Sequence, residues 1–450
     1  MARKLFGTDG IRGVINQEPM TPETVVKLGK AIAQYFKNKN NRNKHQIIIG
    51  KDTRISGYII EDALTAGICS IGIDVLLVGP LPTPAIAYLT KMLDCDAGIV
   101  ISASHNPAQD NGIKLFDSKG FKLPDNVEEE IERIYFSNEF RPVEAKDLGK
   151  AKRIDDARQR YIDYAKSSVK SFNLRGIKIV LDCANGAAYF VAPRVLLELG
   201  ATVVILNDNP DGLNINLGCG ATHPEIISEA VKKYSANLGI ALDGDADRII
   251  ICDENGKEID GDRIMLILAE HSILNNQLNK KTLVVTDYSN LGVDSAMSKL
   301  GGFVSRVQNG DRYVIEEMRK NNYSLGGEKS GHIIFGNYST TGDGIIAGLQ
   351  ILKIMKETDK KISELADNMT EFPQVIVNVD VKQKTPFEYM PHVKAKILEI
   401  EKILGKTGRM IVLYSGTQNL CRIMIEAQNE KEIKTLANEL ANEIKKEVGV

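Results

Sequence analysis

The sequence predicts an α/β protein: three similar α/β (mixed-sheet) domains followed by a smaller α+β domain. Three observations carry this reading. The chain has 450 residues, about three domains' worth at roughly 150 residues each. One order of events, apolar strand, polar loop, helix, glycine and apolar strand, recurs three times, as an internal repeat does. After Glu371 the order changes to strand, helix, two strands and an amphipathic helix.

In the first repeat QIIIGKDTR (46–54) reads as a strand and loop, a helix runs to Gly72, and DVLLVG follows as a strand. In the second, IKIVLDCANG (177–186) leads through a helix ending at Gly200 to ATVVIL; in the third, TLVVTDYSN (282–290) leads through a helix ending at Gly301 to GFVSRV. Glycine after each helix suits a left-handed cap, and continuous β-branched runs suit strands covered on both faces. Each repeat then adds a helix and a strand or turn that empties into a polar loop: SASHNP (102–107), DGDADR (243–248) and GEKSGH (327–332). Ligands of open α/β sheets bind beyond the carboxyl ends of strands, so these three loops are expected to share a site. The fourth domain is read as a strand at 374–381, a helix at 387–404, and strands near 410–415 and 421–427 separated by SGTQN (415–419). The expected domains are 1–155, 156–256, 257–370 and 371–450, with linkers near 137–155, 253–257 and 356–361.

A hydrophobic share of 43% and a charged share of 26% are those of an ordinary folded protein and exclude a disordered or fibrous chain. Lys+Arg 57 against Asp+Glu 59 leaves −2, spread along the chain, so neither nucleic acid nor an anionic membrane is an expected partner. Apolar runs break far short of the ~20 residues that span a bilayer. The start, MARKLFGTDGIRG, meets Gly7, Asp9 and Gly10 before any apolar run, so no export signal and a cytoplasmic location are expected. The six cysteines (69, 95, 183, 219, 252, 421) form no CxxC pair and read as reduced, mostly buried thiols.

Asp243, Asp245 and Asp247 alternate in DGDADR, so a turning backbone can bring three hard oxygen ligands to one centre, which suits Mg²⁺. A calcium-binding EF-hand is disfavoured: Glu254 falls at its twelfth position, but Arg248 stands at the sixth where glycine is needed, and the flanking segments read as strands where helices are needed. SASHNP exposes Ser104 at a strand end beside His105, without the GxSxG elbow of a hydrolase. Beside a Mg²⁺ loop, Ser104 reads as a phosphorylated serine. Lys114 and Arg12 could supply cations to phosphoryl oxygens. Glu328, Ser330 and His332 offer an acceptor, a hydroxyl and a tautomeric ring suited to a polyol. Ser415, Gly416 and Thr417 form a turn that can cradle a dianion, with Arg422 adding a fork. No GxxxxGK[ST] loop occurs, so phosphate on a small molecule fits better than a nucleoside triphosphate.

These residues together resemble the α-D-phosphohexomutase family. GTDGIRG, ISASHNPAQDNGIK, LDGDADR, GGEKSGH with TTGDG, and SGTQN fall in that family's order over essentially the whole chain. ISASHNP and INLGCGATHPE (215–225) are closer to its bacterial phosphoglucosamine mutase branch than to the mannose or glucose branches. The resemblance implies four domains around a central cleft, the last of TATA-binding-protein-like fold. It implies interconversion of glucosamine 6-phosphate and glucosamine 1-phosphate through a phosphoserine enzyme and a bisphosphate, supplying UDP-N-acetylglucosamine synthesis. Ser104 would be the phosphoserine, and with Asp243, Asp245 and Asp247 would hold one Mg²⁺ per subunit. Arg12, Lys114, Arg248 and His332 would surround the reacting phosphoryl group, and Glu328 and Ser330 would contact the sugar. Ser415, Gly416, Thr417 and Arg422 would hold the other phosphate. Relatives carry an Arg where Leu413 stands here and an acid where Gln418 stands. One cation fewer should weaken the hold on the non-reacting phosphate by about 1.5–3 kcal/mol.

Three other readings remain open at this stage. One is a phosphomannomutase or phosphoglucomutase of the same family. Another is a phosphatase with Asp243 as nucleophile, since LGIALDGDADR has the strand-then-DxD pattern of haloacid-dehalogenase-type enzymes. The third is a non-enzymatic sugar-phosphate-binding paralogue. A homodimer is the assembly to test.

Overall fold

Runs such as Ile47-Ile48-Ile49, which have no solvent exposure, place parallel strands in the middle of sheets covered on both faces. The computed structural model describes residues 5–7, 9–39, 44–170, 172–405, 408–415 and 419–449. They divide into two units, Met1–Tyr288 with Leu300–Asn368, and Ser289–Lys299 with Met369–Val450.

The first unit contains three sheets. Its first lobe comprises β1 (Ile11–Val14), α1 (Pro22–Lys39), β2 (Gln46–Lys51), α2 (Ser56–Ser70), β3 (Asp74–Pro80), α3 (Thr83–Met92), β4 (Ala97–Ile101), β5 (Asp110–Asp117), α4 (Asp125–Ser137) and β6 (Ala151–Arg153). The strand order is β1-β5-β4-β2-β3-β6, with β5 antiparallel to both its neighbours. The second lobe runs α5 (Ala157–Ser167), β7 (Lys178–Asp182), α6 (Val191–Glu198), β8 (Thr202–Leu206), α7 (Pro224–Tyr234), β9 (Leu238–Leu242), β10 (Ile249–Cys252) and β11 (Glu258–Ile259), in the order β11-β10-β9-β7-β8. The third runs α8 (Gly261–Leu274), β12 (Thr282–Thr286), α9 (Leu291–Lys299), β13 (Phe303–Val307), α10 (Asp311–Asn321), β14 (Leu325–Gly327), β15 (Ile333–Phe335), α11 (Gly344–Thr358) and α12 (Ile362–Leu365), in the order β13-β12-β14-β15. All three sheets are mixed, as expected: parallel βαβ cores extended by an antiparallel strand.

Helix α9 connects two strands of the third sheet but belongs to the second unit. There Leu291 N–H donates to Glu426 at 2.9 Å and Asn290 Nδ2 donates to the Phe372 carbonyl at 2.9 Å. The rest of that unit is β16 (Gln374–Asp380), α13 (Pro391–Leu404), β17 (Gly408–Tyr414), β18 (Leu420–Ala427) and α14 (Glu430–Val448). Its antiparallel sheet, β16-β18-β17, buries Val379, Ile423 and Ile425 together with Val393, Ile400, Ile433 and Leu440 of the helices. Helix α13 starts at Pro391 rather than 387, because proline is favoured in a first turn.

Two expected linkers are ordered parts of sheets. Residues 151–153 form β6, which pairs in parallel with β3. Residues 253–257 form the turn between β10 and β11, where Asp253 Oδ1 accepts from the N–H groups of Asn255 and Lys257, both at 2.8 Å. Of the expected linker at 356–361, residues 356–358 close α11 and only 359–361 join it to α12. None of the six cysteines is joined in a disulfide, and five are buried.

Candidate active site

Three strand ends of the first unit meet at one cavity of about 510 Å³, lined by Arg12, Ser104, Asp247, Arg248, Glu328 and His332 among others. Ser104 follows β4, Asp243 follows β9 and Glu328 follows β14. The hydroxyl of Ser104 donates to Asp243 Oδ2 at 2.6 Å, so residues 139 positions apart form the centre of the site. Ser104 has φ +51°, the left-handed region, where a non-glycine residue needs support from its surroundings.

The DGDADR turn is closed by Ala246 N–H donating to the Asp243 carbonyl at 3.0 Å. Gly244 is required here, since a Cβ would stand 2.6 Å from the Ser104 carbonyl oxygen. Asp243, Asp245 and Asp247 are all buried, with one oxygen from each within 4.8 Å of the others. Lys114 on β5 reaches Asp245 at 2.8 Å, Asp247 at 3.3 Å and Asp9 at 3.5 Å. Thr83, opening α3, donates its hydroxyl to Asp245 at 2.6 Å.

The charges are unevenly held. Burial, then the neighbouring Asp247 and Asp245, push the Asp243 carboxyl up to about 8. Burial also opposes ionisation of Asp247, but Lys114, His332 and Arg248 outweigh it and hold that carboxyl well below the usual range. Lys114 loses hydration by burial, yet Asp245, Asp9 and Asp247 keep its pKa well above the ordinary lysine value. His105 lies 3.5 Å from the Ser104 hydroxyl, but burial, Arg248 and Arg12 depress its pKa to about 4, making it a weak base. His332 is different: burial lowers its pKa, but Asp247 and Asp311 raise it further. Gly342 N–H donates to His332 Nε2 at 2.9 Å, so the ring proton rests on Nδ1, 3.7 Å from Asp247.

A divalent cation fits this donor set. Three carboxylates face one lysine, and Asp245 Oδ1 and Asp247 Oδ1 are buried without a hydrogen-bond partner. Arg12 Nε and Arg248 Nε are likewise buried without a hydrogen bond, Arg248 Nε lying 4.0 Å from Asp247 Oδ1, as suits donors awaiting an anion.

Ser104, Lys114, Arg12, Arg248, His332, Glu328 and the three aspartates thus come together in the first unit. Glu328 Oε1 accepts from Gly310 N–H at 3.0 Å, and Ser330, exposed, donates to Glu328 Oε2 at 3.3 Å. In the second unit, Arg422 lies opposite Leu413 in the β17–β18 ladder and donates to Asn378 at 3.1 Å, while Ser415 N–H donates to the Leu420 carbonyl at 2.9 Å. Gly416, Thr417 and Gln418 lie outside the described residues. Sequence reasoning missed Lys122 and Asp311, which with Asp9 form an ion-pair chain along the cavity wall. It also missed Arg54 and Asn216, which hold the Ser104 loop from behind. Only Asp9 carried a signal, its place in GTDGIRG beside Arg12.

Residues 3–142, 159–256 and 260–372 match α/β/α domains I, II and III of the phosphoglucomutase/phosphomannomutase family, and residues 376–443 match its C-terminal domain. The phosphoglucosamine mutase of Syntrophotalea carbinolica is 55% identical over 100% of this chain and 99% of its own. That of Geobacter metallireducens is 54% identical over 99% of each chain. Among solved structures, a phosphoglucomutase/phosphomannomutase family protein from Burkholderia thailandensis superposes with a TM-score of 0.83 at 22% identity, covering 99% of both chains. Aspergillus fumigatus N-acetylphosphoglucosamine mutase superposes at 0.64 with 20% identity, covering 98% of this chain and 96% of its own. The match of four consecutive domains, with full-length identity above one half, means that the chain belongs to the phosphoglucomutase/phosphomannomutase family, in its phosphoglucosamine mutase branch.

Proposed function

We propose that this protein interconverts glucosamine 6-phosphate and glucosamine 1-phosphate, with phosphorylated Ser104 as the donor and acceptor of the phosphoryl group. The observation that carries the reading is the Ser104–Asp243 hydrogen bond at a cavity walled by Lys114, Arg12, Arg248 and His332. Asp243, Asp245 and Asp247, with a phosphoryl oxygen on Ser104, would hold one Mg²⁺. Bound there, the cation would neutralise charge on the phosphoryl oxygens.

A free sugar hydroxyl attacks phosphorus as the bond to Ser104 Oγ breaks, giving a sugar bisphosphate. Lys114 stays protonated throughout, since its pKa is held well above the ordinary value, and it acts as a fixed cation with Arg12 and Arg248. The attacking hydroxyl gives up one proton and Ser104 Oγ takes one up as it leaves, so the step is proton-neutral; His332, with Nε2 accepting from Gly342 N–H and Nδ1–H towards Asp247, holds that carboxylate beside the phosphoryl group. The bisphosphate then turns end for end, and its other phosphoryl group returns to Ser104. Positioning and charge neutralisation supply most of the acceleration. Glu328 and Ser330 contact the sugar hydroxyls, while Ser415, Gly416, Thr417 and Arg422 of the second unit hold the non-reacting phosphate. An Asp243 nucleophile is disfavoured, because its Oδ2 already accepts from the Ser104 hydroxyl and its carboxylate is one of the three grouped to hold a cation.

The test compares turnover with glucosamine, glucose and mannose phosphates and maps acid-stable phosphate by mass spectrometry. Preferred turnover of glucosamine phosphate and phosphate on Ser104 are expected. Full activity in Ser104→Ala, or an acid-labile phosphate on Asp243, would overturn the assignment. Binding without conversion would favour a paralogue that has lost the reaction.

A further inference from the structure

The loop that carries Ser104 has an uncommon support. Arg54, with no solvent exposure, lies beneath it and commits every donor of its guanidinium. Nε donates to Asp52 at 2.8 Å. Nη2 donates to the carbonyls of Ser104 at 3.0 Å and Asn106 at 2.7 Å. Nη1 donates to the carbonyls of Pro107 and of Asp110, the latter at 3.0 Å. Five N–H groups therefore meet five acceptors, four of them backbone oxygens of one short loop. Asn216, from the second lobe, donates its Nδ2 to two of the same oxygens, Ser104 at 2.9 Å and Asn106 at 3.1 Å. Asp52 closes the frame from the other side: it accepts from the Ser102 hydroxyl at 2.6 Å, and that hydroxyl accepts from Ser104 N–H at 2.9 Å.

We propose that Arg54 and Asn216 are positioning residues that set the backbone of the nucleophile loop, fixing Ser104 in its left-handed conformation with its hydroxyl aimed at Asp243. The inference rests on Ser104 being the phosphoryl carrier. Converging donors draw the Ser104 carbonyl inward, and with φ at +51° the side chain is turned to the opposite side, into the cavity. A planar five-donor fork is needed to serve four carbonyls and one carboxylate together; a lysine has three donors from a single point and would leave carbonyls unpaired. Asn216 adds a link between lobes, so the loop's conformation registers the docking of the metal-ligand lobe against it. Neither residue touches the cavity, so neither should contribute to substrate affinity.

The experiment measures kcat and KM for Asn216→Ala and Arg54→Lys beside Ser104→Ala, with thermal unfolding and, on purified phosphoenzyme, the partition of phosphoryl transfer between sugar and water. Expected are a fall in kcat of about tenfold for Asn216→Ala and at least a hundredfold for Arg54→Lys, with KM within twofold of the parent. The fraction of phosphoryl groups lost to water should rise in both. Should Arg54→Lys fail to fold, Asn216→Ala decides. A folded Asn216→Ala with parental kcat and partition would overturn the proposal, as would a KM change equal to the kcat change. Full activity in Ser104→Ala would instead sink the phosphoserine reading on which it rests.

Discussion

The loop bearing Ser104 and the loop bearing Glu328 both leave the carboxyl end of a buried strand, yet their functional side chains are held differently. The first is pinned: its carbonyls are collected by a buried arginine and an asparagine, and its serine is 1% exposed. The backbone of the second is also tied down, Ile249 N–H donating to the Gly331 carbonyl and Gly261 N–H to the Lys329 carbonyl, both at 3.0 Å, but its side chains are looser: Ser330 is open to solvent and makes only a 3.3 Å contact to Glu328. A group that must meet a developing transition state gains from fixed geometry, whereas a group that must accept a molecule in two orientations gains from room to adjust. The difference predicts that the pinned loop governs kcat and the looser one governs KM.

The largest effect should come from Ser104→Ala, which removes the proposed phosphoryl carrier and should lower turnover by about 10⁴-fold or more, read in a coupled mutase assay. Asp247→Asn comes next. It deletes a proposed cation ligand and a partner of both Lys114 and His332, and should cost about 10³-fold in kcat with a matching loss of Mg²⁺ affinity by calorimetry. The pH dependence of cation binding gives a graded test. Asp243 is pushed up to about 8, so between about pH 5 and 8 the cation must displace its proton. Affinity should rise up to about tenfold per pH unit in that window and level off above it, with proton release visible as buffer-dependent heat. In the looser loop, Ser330→Ala should raise KM by about three- to tenfold and leave kcat near the parental value, the loss of one neutral hydrogen bond. A fall in kcat instead would erase the contrast. Leu413→Arg acts in the opposite direction: it adds a cation opposite Arg422 and should lower KM by about tenfold or more, the worth of one charged hydrogen bond.

The three βαβ repeats were legible because buried strands are continuous apolar runs and because glycine closes the helices. Strand β6 was not, since Ala151, Lys152 and Arg153 are all exposed on a sheet edge and carry no apolar pattern. The switch of α9 to the second unit is also silent in sequence. Its anchor, Leu291 to Glu426, joins residues 135 positions apart. At the site, Ser104 and the aspartates were legible because their chemistry is concentrated in short loops. Arg54 sat in a polar stretch, GKDTR, that shows nothing of its targets fifty positions ahead. Lys122 and Asp311 are 189 positions apart, and a lone lysine or aspartate of that kind reads as ordinary surface charge until the fold joins them.

The cysteines give the molecule a built-in stopwatch. Burial pushes the thiols of Cys219 and Cys252 up to about 12 and that of Cys421 to about 11, so thiolate is scarce and alkylating reagents must wait for the chain to open. Cys421 is the single thiol of the second unit. Its labelling time therefore clocks the opening of that unit alone, while Cys183, Cys219 and Cys252 time the second lobe.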